Sequence, residues 1–571
     1  MKKALVAAAI LAIGAGGYWV MQQAPKSVDN QVLAYVPADT PLFSAQFEPF
    51  PIKDYIDALP EAQKQYPAEM KTLLAEDDDP RAQFIFRVLE RYFDASKDGQ
   101  QLIDTFGLPE KITSYFYTLG VLPVIKLDIA NPEHFWAVLD KAEADSGLTH
   151  TAKQLGEVKY RAYRLTDEGE NERVDLVFAI DKGMLTLTLE TSFLEPELLE
   201  TALGLKPVQD SLAKAGTVDE IIKKHGFSKA GVSYINHQEL VKAITTLDAN
   251  QMARQLTKIF KLIHDDPFVE LRSQTCQSEL AGIAANWPRT VIGYTDFEVK
   301  NKRAKIGFST VIESNNQVIL GALSQMRGFI PAHTKRIDTG VFSMALGLDV
   351  NQFVPSISKI WDDLLTPSYQ CEPLAQLQGE MEGQSPAMLG MFTGMANGVK
   401  GVSFSLLDYA LEQDTQQISL KDLDAIATLT ADDPATLFNM VKPFAPELAN
   451  VNLPSDGSTV DLGAALQLPP SLGVRAQMAL KGQHLTIYTG DKSQAIADKL
   501  AAEKPTANGL FAMTADYAKL FTPAMNLMAM SGEPIPEELE ALKDYRTQLK
   551  VGMDINAKGI VIDSLVETRN D

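Results

Sequence analysis

The sequence predicts an α+β protein of two similar halves, each an antiparallel sheet covered by helices, preceded by one N-terminal hydrophobic helix. Three observations lead there. Segments recur at a nearly constant offset close to 300 residues, which points to internal duplication. Alternating apolar runs are joined by short turn sequences, as antiparallel hairpins require. Periodic apolar stretches opened by capping residues supply the helices.

The chain starts with Lys2 and Lys3 ahead of an uncharged run from Ala4 to Met21, a basic n-region followed by an apolar h-region. That run approaches the length that spans a bilayer, and Tyr18 and Trp19 stand where an interfacial aromatic belt belongs. Residues 1–25 therefore read as a signal anchor that tethers the chain to the inner membrane through residues 4–21. A cleaved signal peptide ending near Gly17 is the alternative. In both readings the basic flank places the rest of the chain in the periplasm.

The first half is expected over 31–315 and the second over 335–571. Leu42-Phe43-Ser44-Ala45, after Thr40, matches Val341-Phe342-Ser343-Met344, after Thr339. Asn131-Pro132 matches Asp433-Pro434; each pair is a cap followed by a proline pre-set for the first helical turn. Phe178–Leu187 matches Met478–Ile487, with Lys-Gly turns at 182–183 and 481–482 between alternating apolar runs. Within each half a second strand leads into a helix, at Gly231-Val232-Ser233-Tyr234 and at Gly509-Leu510-Phe511-Ala512. Asn236 with Glu239 forms a capping-box pattern there. A terminal hairpin closes each half, at 297–308 and 551–562. The stretch 206–229 has no counterpart in the second half and reads as an insertion. The segment 318–326 is a helical connector, and Asp77-Asp78-Asp79-Pro80 is a solvated breaker between helices.

Composition sets limits on function. The chain has 571 residues, 45% of them hydrophobic, and a net charge of −22. The apolar content suffices for packed cores. The acidic surface repels phosphate backbones, which argues against nucleic acid as a partner. Two cysteines, Cys276 and Cys371, in an exported chain predict a disulfide, expected here to join the halves.

Tyr35-Val36-Pro37-Ala38-Asp39-Thr40-Pro41-Leu42-Phe43 resembles the opening of a family of exported bacterial proteins of unknown function, in which a "PADT" turn precedes repeated strand–helix units. The resemblance implies an envelope location and a repetitive α/β layout. It implies no activity, cofactor or catalytic residue.

The seven histidines show no HExxH or comparable ligand spacing, and no GxSxG, Walker or GxGxxG motif occurs. Asp94-Ala95-Ser96-Lys97-Asp98-Gly99 resembles half a calcium loop, but Thr105 occupies the place of the bidentate Glu, so a polar loop is the expected reading. Met388, Met391 and Met395 fall at i, i+3 and i+7, and Met525 and Met528 follow in another candidate helix. Packing, copper binding and an adaptable apolar groove are the three options for such a cluster. No cofactor is expected. The leading functional expectation is a non-enzymatic periplasmic envelope protein that binds a peptide, lipid or partner protein through an apolar groove. An assembly scaffold without a small ligand and a periplasmic hydrolase are the alternatives.

Overall fold

A computed structural model describes residues 31–60, 64, 79–167, 169–414, 417–463, 465, 475–531 and 546–570. The expected anchor at residues 4–21 and the start of the acidic breaker, Asp77 and Asp78, lie outside the described residues. Of that breaker, Asp79 caps the helix Pro80–Ala95 by accepting from the Arg81 N–H. Among the described residues no helix is long and apolar enough to cross a membrane.

The fold is α+β, with antiparallel strand pairing throughout both of its compact units. Unit 1 runs to Glu313 and takes in Gln370–Pro373 and the chain from Arg569; unit 2 comprises Ser314–Tyr369 and Leu374–Thr568. The expected connector is thus part of unit 2. Its helix, Gln317–Met326, is capped by Asn316 and buries Leu320 and Met326 with Leu510 and Ile555.

In unit 1 the strands are β1 (Leu42–Phe50), β2 (Ile112–Leu119), β3 (Leu122–Asp128), β4 (Thr151–Leu155), β5 (Val158–Arg164), β6 (Val174–Asp181), β7 (Met184–Thr191), β8 (Gly231–Asn236), β9 (Arg289–Lys300) and β10 (Arg303–Glu313). They pair in the order β10-β9-β8-β1-β2-β3-β7-β6-β5-β4. The PADT segment enters β1 through two polar contacts. The Thr40 hydroxyl, fully buried, donates to the Thr118 carbonyl at 2.9 Å. The Asp39 carboxylate accepts from the Gln251 N–H at 3.0 Å, at the start of the helix Gln251–Ile263.

Helices cover both faces of this sheet. The helix Glu197–Ala202 and the residue after it bring Leu199 and Leu203 over Tyr160, Val177 and Ala179. On the opposite face the helix Pro132–Ser146 sets Phe135 against Phe178, and Phe84 stacks on Tyr163 with ring centres 4.4 Å apart.

In unit 2 the strands are β11 (Phe342–Leu346), β12 (Val399–Asp414), β13 (Gln417–Ala431), β14 (Val460–Asp461), β15 (Gln477–Lys481), β16 (His484–Thr489), β17 (Phe511–Asp516), β18 (Arg546–Asn556) and β19 (Gly559–Arg569). The first eight pair in the order β18-β17-β11-β12-β13-β16-β15-β14. Read outward from β1 and from β11, the eight strands of the second order match β9-β8-β1-β2-β3-β7-β6-β5 of the first; β10 and β4 lie beyond the two ends of the match. The helix Asp491–Leu500 covers one face with Ala497 and Leu500 over Ile426, Ala479 and Tyr488. The helix Pro434–Val441 lies on the other, packing Leu437 near Leu429 and Phe438 near Met478 and Leu485.

The pairing rows align the units residue by residue. In unit 1 one row reads Gly293, Val232, Ala45, Tyr115, Lys126, Thr186, Ala179. In unit 2 the corresponding row reads Gly552, Ala512, Ala345, Ser403, Thr428, Thr486, Ala479. Ala345, not Met344, therefore stands where Ala45 stands, and the sequence match at the first strand is one residue out of step. The Lys-Gly turns shift likewise. Lys182 and Gly183 both have positive φ, whereas Gly482 comes first in its turn and alone has it, so turn chemistry changes while the register holds.

Candidate functional site

Unit 2 carries an open apolar sheet face. Along β11 and β12 the side chains alternate between sides, as strand geometry dictates. Ser343, Ala345, Ser403 and Ser405 are buried on one side. On the other, Met344 and Leu346 are each 46% exposed, Val402 44%, Phe404 43% and Ile487 38%. Cross-strand pairing makes these neighbours: Met344 opposes Phe404, Leu346 opposes Val402, and both Phe404 and Ile487 oppose Ala427 on β13. Met513 and Phe511 on β17 continue the patch beyond β11. A contiguous group of large exposed side chains is unlike the isolated exposed hydrophobics of an ordinary surface.

The buried side shows the opposite chemistry. The Ser403 and Thr428 hydroxyls hydrogen-bond at 2.5 Å, while the buried hydroxyls of Ser343 and Ser405 have no hydrogen-bond partner. Small hydroxyl residues thus point inward and bulky apolar ones outward. In unit 1 the bulk lies on the other side of these strands, and Ser44, Gln46 and Ser114 are buried as well. Phe43, Tyr115, Tyr117 and Tyr234 are buried where unit 2 has Ser343, Ser403, Ser405 and Thr514. Ser44, Gln46, Ser114 and Ser233 take the places of Met344, Leu346, Val402 and Met513.

The methionines singled out in the sequence are distributed over this unit. Met388 and Met395 are 71% and 53% exposed. The expected single helix through Met388, Met391 and Met395 does not form. Pro386–Leu389 and Gly394–Ala396 are 3-10 turns flanking one α turn, Gly390–Thr393. Glycine at 390 and 394 weakens a continuous helix by about 1 kcal/mol each relative to alanine. The side chain of Met391 lies outside the described residues. Met525 is buried and Met528 half-buried in the helix Tyr517–Ser531, which packs on β12, β17 and β18. The turns bearing Met388 and Met395 pack instead on the helices Val350–Leu365 and Pro434–Val441. The latter helix lies on the same sheet face as the open patch and exposes Met440 and Val441; Phe444, just beyond it, is also exposed. Sequence reasoning missed Met344, Leu346, Val402 and Phe404. Their signal was present, as large apolar residues alternating with serine in β11 and β12.

Cys276 and Cys371 form a disulfide, with Cα atoms 4.6 Å apart. Cys276 lies in the first turn of the helix Gln274–Asn286, capped by Ser273. The Glu279 carboxylate in the same helix accepts the N–H groups of Gln370 and Cys371 at 2.8 and 2.9 Å. By its contacts the short segment Gln370–Pro373 belongs to unit 1, and the bond ties Cys276 of the expected first half (31–315) to Cys371 of the expected second (335–571). It closes a separation of 95 residues.

The calcium-like loop is occupied by its own side chains. Lys97 pairs with Asp94 at 2.7 Å, and Asp98 caps the helix Gly99–Phe106. Among the described residues no group of three or more His, Cys, Asp or Glu side chains is placed to hold a metal ion.

The most elaborate charged cluster is in unit 1. Glu313, buried, accepts from His225 at 2.5 Å and Arg289 at 2.8 Å, with Lys224 at 3.1 Å. Burial pushes the Glu313 carboxyl up, but the hydrogen bonds from His225 and Arg289 outweigh it and hold the group down at about 2. Arg289 also grips Glu220 at 2.7 Å. This is a closed ion network in which every charge has a protein partner.

Compared with known protein families, curated proteins and solved structures, the chain matches none.

Proposed function

We propose that this chain is a non-enzymatic periplasmic protein that binds an apolar ligand, a peptide segment, a lipid chain or an apolar patch of an envelope protein, on the open face of unit 2. The observation that carries the reading is the exposure of Met344, Leu346, Val402, Phe404 and Ile487 side by side on paired strands. Leaving so much apolar surface in water costs about 25 cal/mol per Å2, which a bound partner recovers. At three of the five matched positions unit 1 carries Ser44, Gln46 and Ser114, and at the other two it carries Phe116 and Leu187, so the continuous apolar patch is a feature of unit 2.

The same proposal makes the two units products of one duplication. Support comes from the shared strand order and from the coincidence of Gly293 with Gly552, Ala45 with Ala345, Thr186 with Thr486 and Ala179 with Ala479 in matched pairing rows. The proposed location is the periplasmic side of the inner membrane, with residues 4–21 as tether. The basic start, the PADT opening and the Cys276–Cys371 disulfide support it, since disulfides persist in oxidising compartments.

The test is native mass spectrometry and lipid extraction of protein purified from its own envelope, beside the double variant Val402→Glu/Phe404→Glu. Co-purifying apolar ligand or partner that disappears in the variant, with the circular dichroism spectrum unchanged, supports the reading. An empty protein, or equal retention by the variant, overturns it.

A further inference from the structure

Unit 1 holds a cleft that the apolar-face reading does not use. The helices Pro80–Ala95, Gly99–Phe106 and Pro132–Ser146 meet around a cavity of about 290 Å3. Arg91, Asp104, Thr105, His134, Val138 and Lys141 line it. Three of these bear cationic or protonatable nitrogen, and they come from two different helices. Of these, Arg91 is paired with Asp145, whereas the exposed Lys141 ammonium has no ion pair among the described residues.

The hydrogen bonding leaves donor capacity unused. Arg91 gives one terminal nitrogen to Asp145 at 2.5 Å, and its Nε is buried without an acceptor. His134 places Nδ1 2.6 Å from the Asp104 carbonyl oxygen, so that nitrogen carries the proton and the ring is oriented by its backbone partner. Lys141 has no ion pair among the described residues and is exposed. The Asp104 carboxylate already accepts from Gln100 at 3.0 Å. Val138, buried, forms an apolar floor.

We infer that this cleft binds a phosphate group. A planar carboxylate is satisfied by the fork of one arginine. Here one end of the Arg91 fork is committed to Asp145, and the Lys141 ammonium approaches from a different helix, which suits a tetrahedral oxyanion better than a planar one. The volume is sufficient for a phosphate group. The site belongs to unit 1 alone. Carrying the Pro132–Pro434 match along the helix puts Thr436 and Pro443 at the positions of His134 and Lys141.

Isothermal titration of the full chain with inorganic phosphate tests the inference, with Lys141→Ala and His134→Gln as variants at exposed positions. The expected result is saturable binding in the millimolar range or tighter that weakens about tenfold in Lys141→Ala. Arg91→Gln, with its fold verified by circular dichroism, should lose binding altogether. Competition by soluble short-chain phosphatidic acid would identify a lipid headgroup as the source, and its failure a free phosphate; both support the site. No saturable phosphate binding, or binding unchanged in Lys141→Ala and Arg91→Gln, overturns it.

Discussion

At matched positions of the two sheets, unit 1 buries Phe43, Tyr115, Tyr117 and Tyr234, and unit 2 buries Ser343, Ser403, Ser405 and Thr514. On the reverse side the relation inverts at three positions, where Ser44, Gln46 and Ser114 in unit 1 become Met344, Leu346 and Val402 in unit 2, while Phe116 and Phe404 correspond. The strand order is the same, so backbone hydrogen bonding does not depend on which side carries the bulk. What changes is the use of each face. Unit 1 invests its aromatic side chains in packing, and the ring of Phe227 fills the space beside Gly293. Unit 2 turns its large side chains outward, where they do little for its own stability and are free for a partner.

The largest effect expected from this contrast is at Tyr117, fully buried in unit 1. Tyr117→Ser, which imports the residue that unit 2 has at the matched position, should destabilise unit 1 by about 3–5 kcal/mol. Urea unfolding monitored by tyrosine and tryptophan fluorescence measures it. A loss below about 1 kcal/mol would mean that the aromatic face does not bear unit 1's core.

The Glu313 network gives unit 1 an acid sensitivity. Its carboxyl sits at about 2 in the folded protein against an ordinary value of 4.5. A depressed folded value contributes stability that is present above about 4.5 and is lost as pH falls from there toward 2. Glu313→Gln should cost up to about 3 kcal/mol at neutral pH, because Arg289 then keeps only Glu220. It should also flatten the acid limb of the stability–pH curve. An acid limb of the same slope in the variant would assign the sensitivity elsewhere.

A smaller difference separates Gly293 from Gly552, which share a pairing row. A methyl group at Gly293 would meet the Phe227 ring at 2.1 Å, whereas at Gly552 the nearest atom is 3.9 Å away. Gly293→Ala should therefore destabilise by about 1–3 kcal/mol. Gly552→Ala should stay within about 0.5 kcal/mol of the parent. Equal effects on the thermal midpoint would break the residue-by-residue alignment.

The smallest stability effect is expected where the functional effect is largest. Phe404→Ser on the open face should change unfolding free energy by no more than about 1 kcal/mol, since its ring is 43% exposed. Phe116→Ser, at the matched and half-buried position of unit 1, should cost more. Binding of an apolar fluorescent probe should fall in Phe404→Ser and not in Phe116→Ser; the reverse would place the binding face in unit 1.

Much of the architecture was legible in the chain itself. The Asn131-Pro132 and Asp433-Pro434 caps are local signals and form in the structure, and the two cysteines pair as their number suggested. The methionine helix failed for a local reason as well: Pro386, Gly390 and Gly394 break it into single turns. The candidate face was hidden by one residue. Matching Leu42-Phe43-Ser44-Ala45 to Val341-Phe342-Ser343-Met344 puts Met344 beside Ala45 on the buried side. The sheet register puts it at the position of Ser44, on the side that is open in unit 2. Because strand side chains alternate with period two, that slip exchanges core for surface along the whole strand.

Alternation, capping and turn chemistry, which act over a few residues, were therefore enough to specify strands and helices. Which side of each strand meets solvent was decided only by pairing across distant segments, such as β11 with β12 and β17. Large apolar residues read as core in any sequence. Only the tertiary arrangement, in which serines and threonines took the inner side and left Met344, Leu346, Val402 and Phe404 without cover, gave them another use.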